Sequence, residues 1–237
     1  MTKLLTIKDL VEYLNFSEKT IYKIVSSGEL PSIKIGKEYR FKEEDVQNWL
    51  NAKTDKKIGG FEKLKTIDNP LKKRLYFLGL LTKELPGIQP ILVGGNAVEF
   101  YTAGGYSTTG IDILAPSEPV DRVLTDWGFK KEGKNWVNAD LDIQIEALTG
   151  QLEPRQLAMV TELTIENLKV FIIGIEDIII DRMNAFVYWE VKDDKLWAKE
   201  MMANHLDEID FDYLYECDEE VKKEMKKLEK EIRNAQI

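Results

Sequence analysis

Over the first fifty positions the apolar residues recur at helical spacing, then alternate, then return to helical spacing. Ile7, Leu10, Val11 and Leu14 fall on one helical face behind Thr6, whose hydroxyl suits a helix cap, and Asn15 suits the helix end. Ser17 is a second cap, and Ile21, Ile24 and Val25 again share a face, which turns Lys19, Thr20, Tyr22 and Lys23 outward. Gly28 stops this helix and Pro31 prevents its restart. Ile33 and Ile35 then alternate with Lys34, Gly36 and Lys37 form a turn, and Tyr39 and Phe41 alternate with Arg40. The pattern predicts a hairpin with an apolar inner face and a basic outer one. Glu43, Glu44 and Asp45 favour the positive end of a third helix, whose Val46, Trp49 and Leu50 would close a small core.

Farther along, a predicted helix from Pro70 to Leu85 ends at Pro86-Gly87. The apolar run Ile91, Leu92, Val93 then meets Gly94-Gly95 and turns into a helix near Asn96. A strand, a glycine pair and a helix form a phosphate-binding geometry, because glycine lets the backbone approach a ligand and free amides at the helix start favour negative charge. The same sequence also suits a plain tight turn. The glycine-rich stretch 104–110 leads into a second strand, Ile111 to Leu114, with Asp112 inside it. A third run, Asp140 to Glu146, alternates strictly, so Asp140, Asp142, Gln144 and Glu146 are predicted to share one face. Carboxylates facing one another across adjacent strands can hold Mg²⁺ or Mn²⁺, and otherwise form a solvated strand face.

Beyond residue 190 the chain reads as helical and acidic. Leu196, Trp197, Met201 and Met202 form a stripe that suits core packing, while Asp207, Glu208, Asp210 and Asp212 suit a solvated rim. Val221, Met225, Leu228 and Ile232 make a last stripe that either pairs with a second copy or lies on its own domain.

Charge separates the two halves. Residues 1–57 hold 11 Lys and Arg against 9 Asp and Glu, whereas the remainder holds 22 against 33. The polar run Lys53, Thr54, Asp55, Lys56, Lys57 before Gly59 and Gly60 reads as a linker. The expected organisation is a DNA-binding domain over residues 1–53, a linker over 54–60, an α/β domain over 61–190 and a helical region over 191–237. The fold class is α+β. No run near twenty apolar residues suggests a membrane span, and a single cysteine, Cys217, points to a cytoplasmic protein without an internal disulfide. One histidine, His205, cannot build a histidine-based metal site and suits a surface role.

The order of helix, short turn, helix, Pro31, basic hairpin and Trp49-bearing helix resembles the excisionase or MerR-type winged helix-turn-helix family, over residues 4–52. The resemblance implies double-stranded DNA as a partner, with the second helix in the major groove and the wing on the backbone or minor groove. It makes Lys19, Thr20, Tyr22 and Lys23 groove-facing candidates and puts Lys34, Lys37 and Arg40 on phosphates. Such small domains commonly act as dimers on paired half-sites, so a homodimer is also expected.

Residues 75–190 resemble the DNA polymerase beta superfamily of nucleotidyltransferases, in particular the small prokaryotic ones of toxin-antitoxin modules. The matching positions are Gly94, Gly95, Thr108, Asp112 and Asp142. The resemblance implies Asp112 and Asp142 as catalytic, metal-binding carboxylates and Gly94, Gly95, Asn96, Thr108 and Arg182 as nucleotide contacts; an ion pair with a neighbouring acid is the other reading of Arg182. It also implies Mg²⁺ or Mn²⁺, a nucleoside triphosphate as ligand or substrate, and a toxin or antitoxin protein as partner.

Gly110 stands where that family has its first metal-binding Asp. Losing a carboxylate from a two-metal site removes transition-state stabilisation. Three outcomes stay open: a site rerouted through Asp140 or Glu146, a binding-only descendant that senses a nucleotide, or a scaffold. The expectation is a DNA-binding protein with a degenerate or nucleotide-sensing C-terminal domain, the alternative being an active transferase acting on a protein or RNA hydroxyl.

Overall fold

The structure, a computed structural model, describes residues 4–36 and 38–235, with side chains throughout except at 51–58. Lys37, expected on phosphate, lies outside the described residues. The chain divides into two compact units, residues 1–63 and 64–237.

The first unit runs β1 (Leu4–Leu5), α1 (Ile7–Leu14), α2 (Glu18–Ser26), β2 (Ile33–Ile35), β3 (Glu38–Lys42) and α3 (Glu43–Lys65). Local chemistry sets its helix ends. Thr6 and Asp9 form a reciprocal capping box, the Thr6 hydroxyl accepting from Asp9 N at 3.2 Å while Thr6 N donates to Asp9 Oδ2 at 2.7 Å. Asn15 leaves α1 in a left-handed conformation, and Ser17 Oγ accepts from Thr20 N at 3.2 Å to start α2. The core is Ile7, Leu10, Ile21, Val25, Leu30, Phe41, Val46 and Trp49. The sheet order is β1-β3-β2.

Two expectations fail here. Ile33 and Ile35 do not line an inner face; they are 40% and 56% exposed. The register sets Ile33 opposite Arg40, Lys34 opposite Tyr39 and Ile35 opposite Glu38. Directly opposed residues share a face, so Tyr39 and Phe41 take the core side with Lys34, and the two isoleucines lie with Arg40 and Glu38 on the other. The second difference is the linker: residues 54–60 belong to α3, which continues through Gly59 and Gly60. A helical glycine costs about 1 kcal/mol against Ala but leaves every backbone bond available, unlike proline.

The second unit carries a seven-stranded mixed sheet of order β6-β7-β8-β5-β4-β10-β9. Its strands are β4 (Ile91–Val93), β5 (Gly110–Leu114), β6 (Lys130–Glu132), β7 (Asn135–Asn138), β8 (Ile143–Leu148), β9 (Thr161–Ile165) and β10 (Leu168–Ile172). The helices are α4 (Pro70–Glu84), α5 (Gly94–Tyr101), α6 (Ser117–Asp126), α7 (Pro154–Met159), α8 (Ile175–Trp189), α9 (Lys192–Asn204), α10 (Phe211–Leu214) and α11 (Glu219–Ala235). β5 pairs antiparallel with β4 and parallel with β8. The last stripe is resolved: Val221, Met225, Leu228 and Ile232 are buried, with α11 packed on α8 and α9 of its own unit. Met201 and Met202 are fully buried as expected, but Leu196 is 56% exposed and leaves the stripe. His205 is half-buried, its Nε2 2.9 Å from the Tyr101 carbonyl oxygen and its Nδ1 2.9 Å from Glu208 Oε2.

The third strand is shorter at its start than the alternation implies. Asp142 adopts a left-handed backbone, φ 51°, and its N–H donates to the Ala139 carbonyl at 3.2 Å, so Asp140 and Asp142 sit in a turn and β8 begins at Ile143.

Candidate nucleic-acid interface and ligand cavity

In the first unit, Lys19, Thr20, Tyr22 and Lys23 all lie exposed on α2, opposite the face that buries Ile21 and Val25. The Thr20 hydroxyl lies 2.7 Å from Ser17 Oγ, within the cap itself. Tyr22 makes an edge contact with Tyr39 of β3, ring centroids 6.3 Å apart, and Lys34 Nζ lies 5.8 Å from the same Tyr39 ring. An aromatic bridge therefore joins α2 to the wing. Arg40 is ion-paired with Glu38 and donates from Nη1 to the Tyr39 carbonyl at 3.0 Å. Such an exposed pair is worth at most about 1 kcal/mol and yields readily to a phosphate.

In the second unit, Asp112 of β5 stands in register with Glu146 of β8 and Val93 of β4. Registered residues on parallel neighbours share a face, so Asp112 and Glu146 are the facing carboxylates. Asp142, expected in that role, is four residues before Glu146, roughly 13 Å along an extended chain, and is exposed in the turn. Burial first, then the Glu146 charge, raises the Asp112 carboxyl above the usual aspartate range; Lys134 opposes this. Lys134 Nζ holds Glu146 at 2.8 Å. The alternating run made Glu146 visible, but strand pairing was needed to choose it over Asp142.

The glycine pair packs closely. Gly94 has φ +60°, and a β-carbon there would stand 2.9 Å from Asp112 Oδ2. One on Gly95 would stand 3.2 Å from Thr108 Oγ1 and 3.1 Å from Tyr106. Asn96, expected to touch nucleotide, is fully buried: its Oδ1 accepts from Arg74 Nε at 2.6 Å and its amide donates to the Gly110 carbonyl. Arg74 also pairs with buried Glu99, which accepts from Thr108 N at 3.3 Å. This network braces α4, α5 and the start of β5. A β-carbon at Gly110 would meet nothing within 4 Å, so the position is open to a side chain on the Asp112 face.

A cavity of about 460 Å³ opens between the sheet and α8, and Gly94, Asp112, Gln156, Asp177, Asp181, Arg182 and Asn184 are among the residues that line it. Of the expected nucleotide contacts it brings together Gly94 and Arg182 and leaves out Gly95, Asn96 and Thr108; of the expected metal carboxylates it holds Asp112 and leaves out Asp142. Arg182 is ion-paired with Asp181 and, at 3.2 Å, with Asp194. Gln156 and Asp177 carry no sequence signature; their places depend on α7 and α8 packing. A neighbouring cavity of about 570 Å³ is lined by Ile91, Leu114, Pro116, Leu152 and Leu157 among others, without a titratable side chain. Among the described residues no group of three or more His, Cys, Asp or Glu is disposed to hold a metal ion.

The helix-turn-helix domain family model matches residues 4–54, spanning α1, α2 and the wing. The chain carries a helix-turn-helix domain. Two relatives, both from Mycobacterium tuberculosis, one of strain CDC 1551 / Oshkosh and one of strain ATCC 25618 / H37Rv, have names that propose DNA binding. Each is 33% identical over 51 residues, 22% of this chain. The chain spans 65% of the length of these relatives. No solved structure matches it. Among the described residues, no helix is long and apolar enough to cross a membrane.

Proposed function

We propose that the protein binds double-stranded DNA through α2 and its wing, and that its C-terminal unit binds a nucleotide in the cavity beside Gly94 and Asp112. The observation that carries the first part is the exposed face of Lys19, Thr20, Tyr22 and Lys23, joined through Tyr39 to Lys34 on the wing of a helix-turn-helix domain. Lysines on a helix that fits a major groove draw phosphate, and Tyr22 and Thr20 add contacts to base edges. Arg40 reaches phosphate once it leaves Glu38. The relatives' names support the same partner. A homodimer on paired half-sites fits so small a module.

The nucleotide part rests on the close packing of the glycine turn against Asp112 in the wall of a cavity that mixes apolar and polar side chains. Two facing carboxylates, one already neutralised by Lys134, do not make a two-metal centre. Any Mg²⁺ or Mn²⁺ enters with the triphosphate. Sensing is thus favoured over transfer, with a toxin or antitoxin protein as a further partner to test.

The second reading, an active transferase acting on a protein or RNA hydroxyl, is favoured by the registered pair Asp112 and Glu146. Incubation with labelled triphosphates, Mn²⁺ and acceptors separates the two. Sensing predicts binding without transfer in the wild type, and transfer appearing only in Gly110→Asp, where there is room for the carboxylate. Wild-type transfer abolished by Asp112→Ala would establish the enzyme instead.

A further inference from the structure

The wing closes the small sheet with an uncovered edge. Among the described residues β2 pairs with β3 alone, and Ile33, Lys34 and Ile35 are all exposed. Two positions separate the paired Ile35 and Glu38, and Gly36 takes φ 65° there, as a tight hairpin turn requires. Such a turn is closed by a hydrogen-bonded pair, and these pairs alternate along an antiparallel ladder. Ile33 and Ile35 therefore direct their backbone groups at β3, while Lys34 turns its N–H and C=O outward. An edge strand with open backbone groups and two exposed isoleucines is a template for another strand.

The strand that matches it is its own copy. Run antiparallel about a two-fold axis at Lys34, the edge meets itself: the two Lys34 residues exchange backbone bonds, and Ile33 of each copy lies opposite Ile35 of the other. Each row across the joined sheet then reads Arg40, Ile33, Ile35, Glu38, so the apolar centre is continuous and every row carries one cation and one anion. That axis stands perpendicular to the sheet. It leaves the Tyr39 sides of both wings, and with them the Tyr22 faces of both α2 helices, on one side.

We infer that two copies bind DNA together by joining their β2 edges into one sheet, with the paired Lys34 side chains on phosphate. This rests on the DNA reading above and gives the homodimer its surface. Lys34 decides when the sheet forms. Its side chain lies over the Tyr39 ring, so the axis sets two ammonium groups side by side, which opposes pairing in free solution. A phosphate between them reverses the sign.

The test is titration of a labelled duplex of about 30 bp, about three helical turns, with the full chain. The second copy is expected to bind at least about tenfold tighter than the first, a difference of about 1.4 kcal/mol. Ile33→Ser with Ile35→Ser is expected to bind its first copy as the wild type does, which shows that it is folded, and to lose the advantage of the second. In a Cys217→Ser background, Lys34→Cys is expected to be joined copy to copy on the duplex by a short bismaleimide, whereas Lys8→Cys, exposed on α1, is not. A serine variant that keeps the wild-type advantage, or a Lys34→Cys that cross-links no better than Lys8→Cys, overturns the inference and leaves the DNA reading standing. No binding of the duplex by the wild type overturns both.

Discussion

The two units present function in opposite ways. In the N-terminal unit the candidate contacts are what folding leaves outside: Lys19, Thr20, Tyr22 and Lys23 stay in water because Ile21 and Val25 occupy the other side of α2. In the C-terminal unit they are what folding half removes from water, with Asp112 partly buried beside Glu146 and Asp177 almost wholly so. A convex basic surface needs little support, since its charges remain solvated. A concave acidic cavity needs a frame, and the buried Arg74, Asn96 and Glu99 network supplies it. The lesson is that mutations distant from the site should spare the first unit and damage the second.

The largest expected effect follows from that frame. Arg74→Met strands buried Glu99 and deprives Asn96 of a partner, and should cost about 3–5 kcal/mol, lowering the melting temperature of the C-terminal unit by about 10 °C. Retention on duplex DNA should persist in the same variant; parallel loss of DNA affinity would erase the contrast between the units. Tyr101→Phe should have a smaller effect, about 1 kcal/mol in a denaturant titration, because the hydroxyl donates to the Ile173 carbonyl at 2.8 Å and lies 3.0 Å from Thr161 Oγ1. Burial pushes that phenol up to about 12, so the hydroxyl keeps its proton, and the cost of Tyr101→Phe should not vary between pH 6 and about pH 9.

Asp112→Asn should act in the opposite sense and most weakly, stabilising by about 0.5 kcal/mol at neutral pH while weakening ligand binding. Because the folded chain holds the Asp112 proton to a higher pH than the unfolded chain does, ionising that carboxylate costs stability. The cost is complete above the raised value and vanishes as pH falls to the ordinary aspartate range. The advantage of Asp112→Asn should therefore fade on acidification, as melts across pH 4 to 8 would reveal; an advantage that grows toward low pH would contradict the burial of Asp112.

How much of this was readable in the chain differs by the range of the forces involved. Thr6 and Ser17 cap their helices through bonds three residues away, and these boundaries follow from spacing alone. The face of α2 follows from its period. The faces of the wing do not follow from alternation because its register, Ile35 against Glu38, depends on the turn, and a shift of one residue exchanges the faces. Glu146 displaced Asp142 for a related reason: the left-handed backbone at Asp142 delays the strand, and only pairing with β5 identifies the residue opposite Asp112. Leu196 misleads since its exposure is decided by how α9 packs, which periodicity does not record. Gln156 and Asp177 are close only in space.

The most direct measurement is the affinity of the full chain for duplex DNA across a salt series, in wild type and in the double variant Lys19→Ala, Lys23→Ala. If α2 lies in the groove, wild-type affinity falls steeply as salt rises, and the double variant binds more weakly with a log–log slope shallower by about 2. Affinity indifferent to salt, or a double variant with the wild-type slope, would contradict the assignment of α2 as the DNA-binding helix.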